Sequence, residues 1–282
     1  MVRDCDVVVS NKSGFCHGIH VAPGAVHVCY CLAPTRYVWQ FESYAAREKL
    51  GGSLKRILRP ILNMLKRWDF AAAQRVDHFV AISTEIQERI KQFYNRDSVV
   101  IYPPVDTKRF VAADTIDDYF LIVSRLIPYK RIDLAVQACS RLALPLVVAG
   151  TGRDRQRLEA MAGPTVKFVG YVPDAELPEL MARCRAFIFP GLEDFGIAPV
   201  QAQAAGRPVI AFKGGGALDT VVPGLSGELF ETQTVETLVH CLDRFDATDY
   251  NPYRVRAHAM QFDSGVFRAT MAAFVEKAYH SR

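Results

Sequence analysis

Two short segments hold the residue types that could do chemistry. Ser124-Arg125-Leu126-Ile127-Pro128-Tyr129-Lys130-Arg131 places two cations, Arg125 and Lys130, in a turn between an apolar run and an amphipathic stretch. Glu193-Asp194-Phe195-Gly196-Ile197-Ala198-Pro199-Val200-Gln201 places a carboxylate before a glycine turn and an amide eight residues later. Together they offer positive charge for a diphosphate and polar groups for sugar hydroxyls, which are the needs of a nucleotide-sugar site. Breaking the bond between an anomeric carbon and a diphosphate puts negative charge on the leaving group. A positioned Arg and Lys stabilise that charge by several kcal/mol where water is excluded. Arg can grip two oxygens, whereas Lys acts as a point charge. Taken alone, Arg125 and Lys130 read as ordinary surface cations; beside the Glu193 segment they read as a site.

The surrounding pattern says what positions them. From Tyr119 onward, short apolar runs alternate with amphipathic segments. Tyr119–Val123, Leu144–Ala149, Val166–Val169, Ala186–Phe189 and Pro208–Phe212 are rich in Val, Ile and Phe and bounded by Gly or Pro, as buried parallel strands are. Between them Ile132–Arg141, Asp154–Met161, Ala175–Arg183, Ala198–Ala205 and Val235–Arg244 carry helical periodicity. Strand–helix alternation with short connections predicts right-handed crossovers and a doubly wound α/β sheet. Such a sheet binds ligands at the carboxyl ends of its strands. Arg125 follows the first of these strands, Gly150-Thr151-Gly152 the second, Tyr171 the third and Glu193 the fourth, so four candidate groups gather on one edge.

Residues 1–102 repeat the pattern more weakly. Asp6–Ser10, Val26–Leu32, His78–Ile82 and Ser98–Tyr102 are strand candidates. Leu54 to Val76 reads as one long helix kinked at Pro60, and Ser83 is placed to cap the helix that runs to Tyr94. Pro103-Pro104 and the residues to Asp118 read as a linker. The organisation expected is a first domain with linker over 1–115, a second over 116–262, and a terminal helix over 263–282. That helix, amphipathic over Val266–Val275, is expected to leave apolar surface exposed, with a homo-oligomer as one consequence.

At 282 residues the chain exceeds the usual single-domain size. Half of its residues are hydrophobic and about a quarter charged, an ordinary globular balance. No apolar stretch approaches the roughly 20 residues of a membrane-spanning helix. The start, Met1-Val2-Arg3-Asp4-Cys5-Asp6, carries acids where a signal peptide is basic and then apolar, so a cytoplasmic location is expected. Seven cysteines in apolar context fit reduced thiols. Residues 1–115 hold 16 Lys and Arg against 11 Asp and Glu, the remainder 18 against 19. The excess concentrates in Arg47, Lys49, Lys55, Arg56, Arg59, Lys66 and Arg67, which suits either a peripheral contact with anionic lipid at the inner membrane face or a solvated helix face.

These segments resemble the signature segments of the retaining GT-B glycosyltransferases often called family 4. The family's motif carries two glutamates separated by seven residues, the first contacting the donor sugar and the second the ribose. Glu193 matches the first; Gln201 stands at the second, where an amide still hydrogen-bonds a diol but without charge assistance. Ala205-Gly206-Arg207-Pro208-Val209-Ile210 and Gly214-Gly215-Gly216-Ala217-Leu218-Asp219 continue the family pattern. Asp6–Ser10 resembles a strand from the middle of its first domain, and Cys29 to Tyr37 the stretch after it, with Leu32 where many members have a histidine facing the sugar. The opening strands and glycine-rich loop of the acceptor side have no counterpart. The chain thus covers about three quarters of the family pattern, through a downstream start, a fragment or a degenerate member.

The resemblance implies a GT-B fold of two Rossmann-like doubly wound domains, the N-terminal one truncated and met by the terminal helix over 263–282 packing back toward it, and transfer of a hexose to a hydroxyl with retention and no metal. Arg125, Lys130 and Glu193 would be catalytic. Gly150, Gly152, Tyr171, Asp194, Phe195, Gly196, Ile197, Gln201 and Gly215 would bind the donor, with backbone N–H groups near Gly215 meeting the diphosphate. The match around Pro128–Arg131 and Glu193–Ile197 points to mannosyltransferases of surface polysaccharide or glycolipid assembly, hence to GDP-mannose and an acceptor that is lipid-linked in some members.

Other readings remain. A binding module or pseudoenzyme that holds a nucleotide or a partner transferase would fit Leu32 and Gln201, and the alternation alone would serve a nucleotide-sugar epimerase. Cys16, His17, His20, His27, Cys29 and Cys31 crowd within sixteen residues, but their spacing matches no ordinary zinc ribbon or finger. Arg153, Arg155 and Arg157 are interrupted by Asp154 and Glu159 and lack the aromatic interleaving of single-strand binders, so nucleic acid is not expected.

Overall fold

The computed structural model describes residues 2, 4–42, 45, 51–113 and 115–281. Arg47 and Lys49 of the basic excess lie outside them. The chain divides into two compact units, Met1–Tyr102 together with Phe267–Arg282, and Pro103–Val266. Residues 103–115, read with the first domain from sequence, belong to the second unit, and the terminal helix contributes to the first.

The first unit holds a parallel sheet of β1 (Val7–Lys12), β2 (Val26–Cys31), β3 (His78–Ala81) and β4 (Ser98–Val100), in the order β1-β2-β3-β4. A short helix, α1 (Arg36–Trp39), and the long α2 (Gly52–Gln74) join β2 to β3, and α3 (Thr84–Tyr94) joins β3 to β4. Pro60 lies within α2, where it removes the N–H that would bond the carbonyl four residues back. Ser83 caps α3 by accepting from the Ile86 N–H at 3.2 Å, and left-handed Asn95 ends it. Register pairs Ser10 with Cys29 and Lys12 with Cys31, which sets these four on one face. On the other face the edge of Phe267 meets Tyr30 and that of Phe274 meets His78. Val7, Val9, Phe267, Met271 and Val275 line an apolar groove there.

The face of Lys12 is anchored by a buried polar cluster. Asp69 accepts from Thr35 Oγ1 at 3.0 Å, Trp39 Nε1 at 2.6 Å and the Tyr94 hydroxyl at 2.7 Å, while Lys12 Nζ donates to Gly14 O and Thr35 Oγ1. Lys12, His17, Thr35 and Asp69 are all fully buried. Buried charges of this kind persist only when paired and hydrogen-bonded. His17, 3.4 Å from Asp69 Oδ1, is held neutral: burial, then the neighbouring Lys12 charge, lowers its pKa from 6.5 to about 4.

The second unit is a six-stranded parallel sheet flanked by helices. Along the chain run β5 (Phe120–Val123), α4 (Ile132–Arg141), β6 (Leu146–Ala149), α5 (Arg155–Ala160), β7 (Val166–Gly170), α6 (Leu177–Arg183), β8 (Ala186–Phe189), α7 (Ile197–Ala204), β9 (Val209–Phe212), α8 (Ala217–Thr220), β10 (Gly227–Phe230), α9 (Val235–Asp243) and α10 (Pro252–Ala259). The final helix is α11 (Ser264–His280). Strand order is β10-β9-β8-β5-β6-β7. The chain builds outward from β5 through β6 and β7, returns to lay β8 against β5, and builds outward again on the other side. The core gathers Phe120, Ile122, Leu134, Leu146, Val148, Ile188, Ile210 and Leu238, each worth roughly 1.5–3 kcal/mol when fully buried. Thr234 caps α9 and Asn251 caps α10, whose first residue is Pro252.

Candidate functional site

Where the order of a doubly wound sheet reverses, the crossovers on either side diverge to opposite faces and leave a crevice at the carboxyl ends of the strands. Here the reversal falls between β5 and β8, whose register pairs Phe120 with Ala186 and Leu121 with Phe187. Arg125 leaves β5, and Glu193 lies four residues beyond the end of β8. The two signature segments therefore flank the one place in this sheet that topology opens to a ligand.

Close backbone packing fixes their positions. A Cβ on Gly150, whose φ is +130°, would lie 1.9 Å from Ser124 O, and one on Gly152 would lie 2.2 Å from Leu126 O. Only glycine lets the turn after β6 lie so near the turn after β5. Leu126 N–H donates to Thr151 O at 2.9 Å and Asp154 N–H to Leu126 O at 3.0 Å, which locks the two turns together. Gly191 approaches the Lys130 backbone in the same way, its Cβ position 3.0 Å from Lys130 O. Gly216 N–H donates to Glu193 O at 2.9 Å, and Cβ atoms at Gly215 and Gly216 would strike Glu193 O and the Phe195 Cα, each at 2.2 Å. The glycine turn after β9 is thus seated on the Glu193–Phe195 backbone, and the Gly216 N–H is committed there.

The side chains of Lys130 and Glu193 meet as an ion pair, with exposures of 19% and 15%. Lys130 Nζ also lies 5.4 Å from the Tyr129 ring centroid. Arg125 is exposed on the adjoining turn and donates to the Tyr129 hydroxyl at 3.2 Å. Gly196, with φ +98°, caps α7 and starts its first turn beside Phe189. Ile197, 47% exposed, and half-buried Gln201 are four residues apart, on one face of α7. Asp194 and Phe195 are buried, the latter edge-on to Phe262 at 5.7 Å. Tyr171 stands 72% exposed beyond β7.

The structure thus brings Arg125, Lys130, Glu193 and the turns of Gly150, Gly152, Gly196 and Gly215 to the reversal point. Tyr171 and Gln201 share its edge, with no side-chain hydrogen bond to the cluster among the described residues. Tyr129 and Gly191 were not singled out from sequence. Gly191 carried a signal, since Pro190-Gly191 directly follows an apolar strand. A cavity of about 570 Å³ opens elsewhere, between β10 and α9, and holds none of these residues.

The Cys and His crowding of the first unit disperses. Cys16 donates to Asn11 O, His27 Nε2 is 2.8 Å from Ser10 Oγ, and burial pushes the Cys29 thiol up to about 12. Among the described residues, no three His, Cys, Asp or Glu side chains converge as metal ligands would. Arg155 pairs with Glu159 and Arg157 with Asp154, each at 2.7 Å, so these two arginines are tied to neighbours within a turn of the same helix.

The family model described as "Glycosyl transferases group 1" matches residues 105–255, more than half of the chain. The chain belongs to this glycosyltransferase family. It is 36% identical over 115 residues to a GDP-mannose-dependent alpha-mannosyltransferase of Mycolicibacterium smegmatis, a match covering 40% of this chain and 30% of that protein. It is 29% identical over 199 residues to the GDP-mannose-dependent monoacylated alpha-(1-6)-phosphatidylinositol monomannoside mannosyltransferase of Corynebacterium glutamicum, covering 59% of this chain and 52% of that protein. The matches thus span about half or less of these relatives. Sucrose-phosphate synthase of Thermosynechococcus elongatus superposes with a TM-score of 0.79 at 18% identity, over 98% of this chain and 74% of that one. That likeness shows the fold, which is GT-B with two parallel-sheet α/β domains. Among the described residues no helix is long and apolar enough to cross a membrane.

Proposed function

We propose that this group 1 glycosyltransferase moves mannose from GDP-mannose to a hydroxyl acceptor, with retention and without a metal, in the assembly of a surface polysaccharide or glycolipid on the cytoplasmic side of a membrane. The observation that carries the reading is the Lys130–Glu193 pair at the strand-order reversal, with Arg125 exposed on the neighbouring turn. A diphosphate entering the crevice exchanges the carboxylate partner of Lys130 for phosphate oxygens, and Arg125 grips a second pair of oxygens. Glu193, so released, accepts from the donor sugar's hydroxyls. As the anomeric carbon–oxygen bond breaks, the electron pair leaves with the diphosphate, and the two cations are already in place to meet it. Gln201 faces the ribose diol as a neutral partner. Two cations on rigid turns supply the charge that a divalent ion would otherwise bring.

The two mannosyltransferase relatives support the choice of donor, and the lipid acceptor in the Corynebacterium protein's name supports a lipid-linked hydroxyl. Gln201 favours one second reading, a protein that holds a nucleotide without turnover. Calorimetric titration with GDP, UDP and ADP separates the possibilities. GDP is expected to bind in the micromolar range, equally well in excess EDTA. Arg125→Ala with Lys130→Ala should weaken it by at least about 100-fold while the circular dichroism spectrum is unchanged. Undiminished affinity in that variant overturns the residue roles, and binding without transfer to any acceptor favours the second reading.

A further inference from the structure

Helix α2 has three faces where a surface helix ordinarily has two. With each residue turning about 100°, Leu58, Leu62, Leu65, Asp69, Ala72 and Ala73 point one way, and all six are half-buried or buried. A second stripe, Ile57, Ile61, Met64 and Trp68, repeats at i, i+4, i+7 and i+11 on a different azimuth. Its side chains are 67%, 49%, 62% and 43% exposed. The remaining face carries cations. The helix contains Lys55, Arg56, Arg59, Lys66 and Arg67 and a single acid, Asp69, which is fully buried. Lys55 and Arg59 approach Glu42, whereas Arg56 and Arg67 have no ion-pair partner among the described residues.

We propose that α2 lies on an anionic lipid bilayer, with Ile57, Ile61, Met64 and Trp68 in the boundary between headgroups and acyl chains and Arg56 and Arg67 among the lipid phosphates. The shape argues for this occupant. The stripe is one side chain wide and about 16 Å long, the form of a helix resting in an interface rather than of a knob entering a pocket. A contact between proteins gathers its apolar side chains into a core ringed by a polar rim. Here an apolar line adjoins a field of cations with no exposed acid on the helix, which is complementary to a layer that is anionic outside and hydrocarbon within. Aromatic rings continue the stripe at its end: Phe15 meets Trp68 edge-on at 5.3 Å and Tyr37 at 5.6 Å, and Tyr37 is 38% exposed. Trp and Tyr favour this depth because one end of each ring system is apolar and the other polar.

The surface does not depend on the transferase reading, because partitioning is measured without nucleotide and nucleotide binding without lipid. The full chain is sedimented with vesicles of equal parts phosphatidylcholine and phosphatidylglycerol, and with phosphatidylcholine alone. Binding is expected to the anionic vesicles and to fall as salt is raised. Ile61→Asp with Met64→Asp, both at exposed positions, should lower partitioning at least about tenfold, and Arg56→Glu with Arg67→Glu by a similar factor. Brominated lipids should quench tryptophan emission in the wild type and not in Trp68→Phe, since Trp39 stacks on Phe93 at 5.1 Å and bonds Asp69. Circular dichroism checks that each variant is folded. Failure of the wild type to sediment at low salt overturns the proposal, as does binding indifferent to both pairs of substitutions. A dimer in light scattering that Ile61→Asp with Met64→Asp disperses, with vesicle binding untouched, would assign the stripe to a second copy instead.

Discussion

The two sheets share parallel strands joined by crossovers, but the first adds each strand beside its predecessor, β1 to β4, whereas the second doubles back between β5 and β8. Right-handed crossovers that always step one way keep to one face of the sheet. In the first unit α2 and α3 occupy that face with the Asp69 cluster, and α11 occupies the other. In the second unit the reversal parts the helices and leaves Arg125, Lys130 and Glu193 at the opening. The same building block therefore yields a charge cluster sealed from water in one unit and an accessible ion pair in the other: Lys12 and Asp69 are fully buried, while Lys130 and Glu193 keep 19% and 15% of their surface. Reversal, more than composition, decides which pair can meet a ligand.

The comparison can be broken most forcefully at Gly150. Gly150→Ala puts a Cβ 1.9 Å from Ser124 O at a φ of +130°, and overpacking with backbone strain should cost about 4 kcal/mol. Calorimetric melting is expected to show the loss in the second unit's transition together with loss of GDP binding. If the variant keeps both, the two turns are not held as described. The first unit is expected to fail on acidification instead. Its His17 is neutral when folded, with a pKa near 4, but takes a proton near 6.5 when unfolded. Stability is therefore whole above pH 6.5 and is lost as the pH falls toward 4, by on the order of 3 kcal/mol. Asp69, Lys12 and His27 face the same ring, and His17→Gln should flatten the acid limb. An acid-labile second unit beside an indifferent first would reverse the contrast. The smallest effect is expected at Gln201, where Gln201→Glu restores a charged acceptor and should tighten GDP binding by about three- to tenfold. No gain on titration would separate Gln201 from the ribose.

Much of this was legible in the chain. The ends of α4 and β8 fall where the amphipathic period and the apolar run place them, because those segments are bounded by turns and buried on more than one side. Ser83 announces its cap, since a hydroxyl before a helical period has few other uses. β10 was not legible: Gly227-Glu228-Leu229-Phe230 is four residues long, carries a charge, and follows the Pro223-Gly224 turn, so its strand character comes from pairing with β9. The glycine contacts were equally hidden, because Gly150 against Ser124 and Gly216 against Phe195 join residues that only the folded sheet makes neighbours. Glu193 and Lys130 could be named as candidates, but that they pair follows from strand order, which periodicity does not encode. The apolar stripe of α2 looks in sequence like any core face, and only burial shows that the core lies elsewhere.

The boundary between the units has a consequence for how the protein is made. The chain leaves the first unit after Tyr102 and returns to it at Phe267. The second unit is therefore one unbroken stretch of polypeptide, whereas the first is written in two instalments. During synthesis, which proceeds from the N-terminus, all of the second unit has been made before the first strand of the first unit can receive Phe267 and Phe274 on its sheet. Until then the face that carries Tyr30 and His78 lacks its contacts with Phe267 and Phe274, and the interval is set by the time needed to translate everything in between. The segment that begins at Phe267 thus closes a unit whose strands were made before any of the second unit.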